Sequence, residues 1–177
     1  MSEPLIEKNE PLIAVDVETT GLSPLRGRVI EIAAVKISSG QLKDVFHSLI
    51  DCGRPVPEPV QRINGITNEM LIGQPKPEAV FSAFRNFVGH STLLAHNAPF
   101  DGSFIRHEFG RLGWGFGNPM RCTLQLSRRR FPRLENHRLE TVFRHLFPDS
   151  VEDIRFHRAL DDARMAGRIW MALEGMK

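Results

Sequence analysis

The chain has 177 residues, and its 23 Lys and Arg against 21 Asp and Glu give a formal net charge of +2. This length suits one compact domain with a full-sized core, and 41% apolar with 25% charged residues argues against a disordered chain. No apolar run approaches the roughly 18 residues that span a bilayer, and the start of the chain lacks the order of a secretion signal. We therefore expect a short N-terminal tail over 1–10, a single domain over 11–177, a cytoplasmic location and no membrane partner.

The only two cysteines are Cys52 and Cys122, which are far apart in the chain and lack the spacing of a metal site. Reduced thiols are therefore expected, with neither a disulfide framework nor a zinc site.

Turn residues and apolar periodicity predict strands first, followed by helices mixed with strands. The first predicted strand begins with the apolar run 12–15, carries Asp16 and Glu18 and ends before Gly21, and the other predicted strands are 29–37, 41–50 and 92–95. The predicted helices are 66–71, 77–88, 99–112, 122–130, 137–147 and 158–174. The segment 52–59 is rich in Pro and Gly and is interpreted as a connection, and Thr67 or Asn68 would cap the short helix after it. The first three strands form an antiparallel meander, and the whole order predicts an α/β layer with a mixed sheet.

Asp16 and Glu18 close the apolar run of the first predicted strand. Because side chains alternate along a strand, both carboxylates emerge on one face, about 6 to 7 Å apart. Two repelling carboxylates beside an apolar strand require a compensating cation, and hard oxygen ligands suit Mg²⁺ or Mn²⁺. The alternative is a pair of solvated acids ahead of a Thr-Thr-Gly turn. The metal-site hypothesis therefore needs further carboxylates elsewhere in the chain.

Asp101 is a third candidate, in the first turn of the predicted helix 99–112. Pro99 fits the first helical position, and the free N–H groups and the dipole of a helix start favour an ionised carboxylate, which is the form that a metal requires. Taken alone, Asp101 is better interpreted as an ordinary acid at a helix start. The nearby His96 is better interpreted as a hydrogen-bonded core histidine than as a ligand.

The adjacent Asp161 and Asp162 compete as the fourth candidate. At about 100° per residue, Asp162 shares the apolar face of the predicted last helix, whereas Asp161 lies with the arginines, where solvated ion pairs are expected. We therefore choose Asp162 as the ligand and Asp161 as a surface residue. His157 precedes or begins this helix, and an imidazole near a metal cluster is the ordinary group for taking up a proton near neutral pH.

Arginines are concentrated in one segment of the chain. Such clustering can serve the phosphate backbone of a nucleic acid, and a solvated helical face is an equally good interpretation. The members of the segment are Arg121, Arg128, Arg129, Arg130, Arg133 and Arg138.

Together, these residues resemble the DEDDh group of DnaQ-like 3′-to-5′ exonucleases. The motifs are, in order, Asp16-x-Glu18 followed by Thr19-Thr20-Gly21, then His96-Asn97-x-x-Phe100-Asp101, then His157 with Asp162 five residues on. The resemblance extends over nearly the whole chain, from about residue 12 to 173. The sister group that has tyrosine in place of the histidine is excluded, because the sequence contains no tyrosine. The resemblance implies an RNase H-like fold, a mixed five-stranded sheet flanked by helices.

The resemblance also implies the chemistry. Two divalent ions, Mg²⁺ or Mn²⁺, would be held by Asp16, Glu18, Asp101 and Asp162, with His157 as general base, and the product would be a nucleoside 5′-monophosphate. The implied partner is a single-stranded nucleic acid 3′ end, with DNA favoured, in repair or proofreading. By motif position, the residues expected to contact the substrate are Thr19, Thr20, Leu22, Asn64 and Asn97.

Two departures from the family pattern qualify these expectations. Asn64 stands where many members have histidine, so we expect an altered contact with the terminal nucleotide and intact chemistry. The chain ends at Lys177, just past the last predicted helix, whereas the replicative proofreading subunits use a C-terminal extension to join their polymerase. Stable polymerase association is therefore not expected.

Two other functions are weighed against DNA hydrolysis. An exoribonuclease or oligoribonuclease would use the same motifs, because they do not recognise the sugar. A catalytically inactive nucleic-acid-binding module is the remote alternative, and the presence of all four carboxylates and the histidine argues against it.

Overall fold

A computed structural model of the protein describes residues 12–150 and 157–175, so the predicted N-terminal tail, 1–10, lies outside the described residues. Five strands form one sheet in the order β3-β2-β1-β4-β5. They are β1 (Leu12–Thr19), β2 (Val29–Ser38), β3 (Gln41–Leu49), β4 (Thr92–Ala95) and β5 (Met120–Cys122). The β1–β2 and β2–β3 pairs are antiparallel, and the β1–β4 and β4–β5 pairs are parallel. The predicted mixed five-stranded sheet is confirmed.

Seven helices flank the sheet in the described part of the chain. They are α1 (Glu58–Asn64), α2 (Asn68–Leu71), α3 (Pro77–Val88), α4 (Ala98–Arg111), α5 (Thr123–Arg130), α6 (Leu139–Leu146) and α7 (Ala159–Gly175). The predicted helices match α2 to α7 to within a few residues at their ends. Thr67 is the cap of α2, since its side chain accepts a hydrogen bond from the Met70 N–H. None of the helices within 12–150 and 157–175 is long and apolar enough to cross a membrane.

Two elements were wrongly assigned from the sequence. The segment 52–59 was interpreted as a connection, but α1 begins at Glu58, with Pro57 as its N-cap and proline in its first turn. Proline is compatible with a helix start, where its missing N–H has no intrahelical partner. The strand β5 was missed because three half-buried residues are too few to show an alternation.

The first strand carries the acidic pair, as predicted. It continues through Thr19, so Asp16 and Glu18 lie within a paired strand, opposite Ala33 and Glu31 of β2. The register of this pair shifts between Glu18 and Thr19. The acidic pair is therefore fixed by the antiparallel ladder.

The helices α3 and α4 cover one face of the sheet, and α7 covers the other. The first face holds a phenylalanine-rich core in which Phe81, Phe84, Phe104 and Phe109 are fully buried, each contributing about 2 to 3 kcal/mol by burial. On the second face, Gly167 of α7 lies so close to the sheet that an added Cβ would be 3.0 Å from Leu42 Cδ2 and 3.4 Å from Ala14 Cβ.

Candidate metal centre

Three carboxylates converge where α7 crosses the end of β1. Asp16 and Glu18 project from the same face of β1 because they are two residues apart on one strand. Asp162 joins them from the first turn of α7. One ligand oxygen from each of the three lies within 4.8 Å of the others. Such a group is repulsive by itself and is suited to hold a divalent cation.

Asp101 lies beside this group at the start of α4. It is 3% exposed, and its Oδ1 accepts a hydrogen bond of 3.3 Å from the N–H of Val17, the residue between Asp16 and Glu18. Burial first, and then the charges of Glu18 and Asp162, raise the pKa of Asp101 to about 8. Asp101 lies in the first turn of α4, as predicted, and the fold brings it to the acidic pair.

The pKa values of the other three carboxylates are also raised, since these groups share a site removed from water. Burial is the main cause in each case, followed by repulsion from neighbouring acids. The pKa of Glu18 rises to about 8 and that of Asp162 to about 7, and the pKa of Asp16 lies well above its ordinary value. A bound cation would reverse this effect by stabilising the ionised forms.

The adjacent aspartates of α7 are placed as helical spacing predicted. Asp162 is 9% exposed, and its Oδ1 is buried with no hydrogen-bond partner in the described part of the chain. Asp161 is directed outward and lies 3.5 Å from Arg164 Nη1, one helical turn away. Only Asp162 is therefore oriented toward the carboxylates of β1.

His157 is exposed and lies two residues before the first residue of α7, Ala159. Its backbone has a φ of 62°, a left-handed conformation that is uncommon outside glycine. A backbone hydrogen bond from His157 lowers the pKa of Asp162 and partly offsets the effect of burial. The His157 backbone is thus hydrogen-bonded to Asp162 of the candidate centre. The role of the His157 imidazole as general base stays a prediction.

Sequence reasoning missed Glu31, a fully buried acid in the apolar strand β2, directly opposite Glu18. Its carboxylate lies 2.7 Å from His47 Nε2 and 2.8 Å from Arg158 Nη2, and it accepts a 3.0 Å hydrogen bond from the N–H of Ala159, the first residue of α7. Burial alone would raise the pKa of Glu31, but these hydrogen bonds lower it to about 2. Glu31 therefore anchors the first turn of α7, and with it Asp162, to the sheet.

A lone acid in the otherwise apolar run 29–35 was the available signal for this network. Sequence alone could not supply its partners, because Arg158 is 127 residues away in the chain.

A second missed acid, Glu108 of α4, anchors the loop between β1 and β2. Its carboxylate accepts two hydrogen bonds from the Arg28 guanidinium, 2.8 and 2.9 Å long, and one of 3.1 Å from the Val29 N–H. Arg111 also pairs with Glu108 at 3.0 Å and donates to backbone oxygens of the loop, including that of Gly27. The loop that follows the acidic pair is therefore held in place from α4.

Three of the predicted substrate residues lie at the start of this loop. The Thr19 hydroxyl donates to the Gly21 carbonyl over 2.7 Å, and the Thr20 hydroxyl accepts a 3.0 Å hydrogen bond from the Arg28 N–H. Leu22 is 87% exposed. The two threonines thus shape the turn, and Leu22 presents an exposed apolar side chain four residues after Glu18.

The two asparagines differ in their surroundings. Asn64 is buried at the end of α1, and its Nδ2 donates to Glu18 Oε2 over 3.5 Å, so it contacts a candidate metal ligand directly. Asn97 is exposed, in a left-handed conformation just before α4. His96 is the core histidine that was expected, hydrogen-bonded to Thr123 Oγ1 and the His137 carbonyl, and burial lowers its pKa.

Comparison with known proteins connects this arrangement to nucleases. The profile of the RNase_T family, described as exonuclease, matches residues 13–170. A DNA polymerase III subunit epsilon from Aquifex aeolicus is 34% identical over 162 residues, which is 91% of this chain and 79% of that protein. The PolC-type DNA polymerase III of Halalkalibacterium halodurans is 39% identical over 167 residues, but the chain spans only 11% of its length.

Solved structures share the fold. Exonuclease X, in complex with 5′ overhanging duplex DNA, has 25% identity and a TM-score of 0.76, with 94% of this chain and 92% of that chain covered. A structure of exonuclease I has 19% identity and a TM-score of 0.81, covering 94% of this chain and 41% of that chain.

Proposed function

The chain belongs to the RNase_T exonuclease family, and on that premise we propose that it is a metal-dependent 3′-to-5′ exonuclease acting on single-stranded DNA in repair or proofreading. The observation that carries the proposal is the convergence of Asp16, Glu18 and Asp162, whose oxygens lie within 4.8 Å of one another. The nearby Asp101 completes a set of four carboxylates.

Four carboxylates fit two divalent cations, Mg²⁺ or Mn²⁺, because both ions prefer hard oxygen ligands. Asp162 Oδ1, buried and without a hydrogen-bond partner in the described residues, is the kind of atom that a cation satisfies. The ligands would be Asp16, Glu18, Asp101 and Asp162. When bound, the ions would supply the positive charge that lowers the pKa of a water and stabilises the departing 3′ oxygen.

His157 is the group that we assign as general base. Its side chain is exposed at the start of α7, where a substrate phosphate and its attacking water can reach it. A neutral imidazole would take the proton of that water as the water oxygen bonds to the phosphorus. The bond between the phosphorus and the 3′ oxygen of the preceding nucleotide then breaks. The terminal nucleotide leaves with its phosphate on the 5′ oxygen.

The proposed substrate is a free 3′ end of a single DNA strand. Exonuclease X, a solved structure at 25% identity, is in complex with 5′ overhanging duplex DNA, which supports DNA rather than RNA as the nucleic acid. Leu22, exposed on a loop that Glu108 anchors, offers an apolar surface for the terminal base. A paired end would first have to be unstacked, at a cost of a few kcal/mol. The other proposed contacts are Thr19, Thr20, Asn64 and Asn97.

The test is digestion of matched DNA and RNA strands that carry a label at the 5′ end, with Mg²⁺, with Mn²⁺ and with EDTA. We expect a ladder that shortens from the 3′ end of DNA, release of nucleoside 5′-monophosphates, and no reaction in EDTA. A strong preference for RNA would overturn the assignment of DNA. Metal-independent binding without hydrolysis would instead favour an inactive binding module.

A polymerase partner needs a separate test, because the Aquifex aeolicus relative is named as a polymerase subunit. The proposal is that the chain hydrolyses DNA without one. Gel filtration with the replicative polymerase of the same organism would show co-elution if a stable complex forms, and addition of that polymerase would then change the rate of digestion.

A further inference from the structure

A groove of about 370 Å³ follows the β5 edge of the sheet, between α4, α5 and α7. Its polar lining includes three arginines, Arg106, Arg121 and Arg129, and one acid, Glu174. Among the described residues, Arg106 and Arg121 have no carboxylate within ion-pair distance. The groove therefore carries a positive charge that the surrounding protein does not fully neutralise, which favours a polyanionic ligand.

Close packing of α4 on β5 places one of these arginines, Arg106, in the groove. A Cβ at Gly102 of α4 would collide with Met120 Sδ of β5 and would lie 3.1 Å from Arg106 Nη1. Glycine at this position therefore leaves room for the Met120 side chain and the Arg106 guanidinium where they now lie. The Arg106 guanidinium consequently lies over Gly102 next to the edge strand, on the same groove as Arg121.

An aromatic ring accompanies the charges. The half-buried Trp170 of α7 lines the groove together with the apolar side chains of Met120 and Leu126. Arginines combined with an accessible aromatic face are the pattern by which proteins hold single-stranded nucleic acid, the cations binding phosphates and the ring stacking on a base. The volume falls in the range of sites that hold one small ligand or nucleotide unit.

The sheet register gives the distance from the metal centre. Cys122, which lines the groove, pairs with Ala95 of β4, and the neighbouring Leu94 pairs with Ala14 of β1. Cys122 is thus level with Val15, one residue from Asp16 and two strands away. Two strand spacings amount to about 10 Å, so the Cys122 end of the groove lies about three nucleotides of a stacked strand, at about 3.4 Å each, from the centre. Trp170 is eight residues past Asp162 on α7 and therefore lies about 12 Å or more from that carboxylate.

We propose that this groove is a second nucleic-acid site, which holds the substrate strand about three nucleotides upstream of its 3′ end. Arg106 and Arg121 donate hydrogen bonds to phosphate oxygens, and the Trp170 ring stacks on a base. The inference rests on the proposed function in that the strand is the one whose end reaches the carboxylates. On this proposal, residues outside the metal centre cause the enzyme to prefer long strands over short ones.

The test combines the variant Arg106→Gln/Arg121→Gln with substrates of different length. Three substrates are compared: the p-nitrophenyl ester of thymidine 5′-monophosphate, a DNA dinucleotide and a DNA octanucleotide. We expect kcat/KM for the octanucleotide to fall about tenfold or more, as for the loss of charge-assisted hydrogen bonds. The ester and the dinucleotide do not reach the groove, so their hydrolysis should change by less than about twofold.

Arg144→Gln/Lys43→Gln is the matched control, because it also removes two positive charges, from the exposed side chains of Arg144 on α6, which pairs with Glu140, and Lys43 on β3. The control should leave the length dependence as in the wild type. An equal loss on all substrates would show that the two arginines only support the fold, and an unchanged octanucleotide rate would show that the groove binds no strand. Either result overturns the inference.

Binding without metal separates this inference from the proposed function. In EDTA, the fluorescence anisotropy of a labelled octanucleotide should show weaker binding to the double variant, with the salt dependence of log Kd reduced by about 1.4 for two lost phosphate contacts. If the wild type hydrolyses no substrate but the double variant still binds the strand more weakly, the proposed function is refuted and the groove is supported as a nucleic-acid site. Equal binding by variant and wild type refutes the groove.

Discussion

The substitution Glu31→Gln tests how the candidate metal centre is held together. Glu31 is fully buried and accepts hydrogen bonds from Arg158 and from the first N–H of α7. Glutamine removes the charge and presents an amide N–H₂ to neighbours that are themselves donors. Removing one partner of a buried ion pair typically costs about 3 to 5 kcal/mol.

The pKa of Glu31 gives a similar magnitude independently. It falls from 4.5 to about 2, because hydrogen bonds from His47, Arg158 and Ala159 outweigh the effect of burial. At about 1.4 kcal/mol per pKa unit, ionised Glu31 stabilises the fold by about 3 kcal/mol at neutral pH. For a chain of this size, the expected loss in Tm for Glu31→Gln is about 6 to 12 °C.

The sign with pH follows from the direction of the pKa change. A carboxylate with a lowered pKa in the folded state stabilises above its unfolded value, and that contribution disappears as pH falls from about 4.5 to about 2. The difference in unfolding free energy between wild type and Glu31→Gln should therefore have its maximum value at pH 7 and should decrease as the pH falls below about 4.5.

Urea unfolding across this pH range is the assay, and Glu140→Gln is the control. Glu140 is 50% exposed in a surface pair with Arg144, which should be worth less than about 0.5 kcal/mol. A loss below about 1 kcal/mol for Glu31→Gln, or a loss independent of pH, would refute the claim that Glu31 is the ionised anchor of α7.

Three further predictions concern the carboxylates and the packing of α7. Asp162→Asn should abolish metal-dependent turnover in a DNA digestion assay, while Asp161→Asn should retain most of it; the reverse result would contradict the helical orientation. Glu18 has a pKa of about 8 in the fold, so it binds a proton there that the unfolded chain has lost, and metal-free stability should fall as pH rises from about 4.5 to 8. Mg²⁺ should then raise Tm more at pH 8 than at pH 6, and equal Tm shifts would argue against the carboxylate site. Gly167→Val should lower the unfolding free energy by about 1 to 3 kcal/mol through overpacking against Leu42, and an unchanged denaturation midpoint would show that α7 can move away from the sheet.

Local sequence patterns predicted most of the elements, since long helices and alternating strands are specified by their own residues. The helix over Pro77–Val88 and the strand over Thr92–Ala95 have the predicted bounds. The helix α1 was missed because prolines near its start were interpreted as a connection. The strand β5 is half-buried and three residues long, and its pairing with β4 is a tertiary property that no local pattern contains.

In the candidate site too, local patterns placed some residues correctly, and others depend on contacts between distant parts of the chain. Helical geometry was sufficient to separate Asp162 from Asp161, and strand alternation was sufficient to put Asp16 and Glu18 on one face. Glu31 could not be interpreted from its neighbours, because its stabilising partner Arg158 comes from the far end of the chain. Long-range ion pairs of this kind depend on the fold and become visible only with it.

Titration of metal-free protein with Mn²⁺ in a calorimeter is the most direct test of the carboxylate centre. We expect binding of two ions at pH 7, with release of protons because Glu18, Asp101 and Asp162 have pKa values of about 7 to 8 before metal binds. We also expect Asp162→Asn to lose this binding. Absence of binding in the wild type, or unchanged binding in Asp162→Asn, would contradict the assignment of these carboxylates as a metal centre.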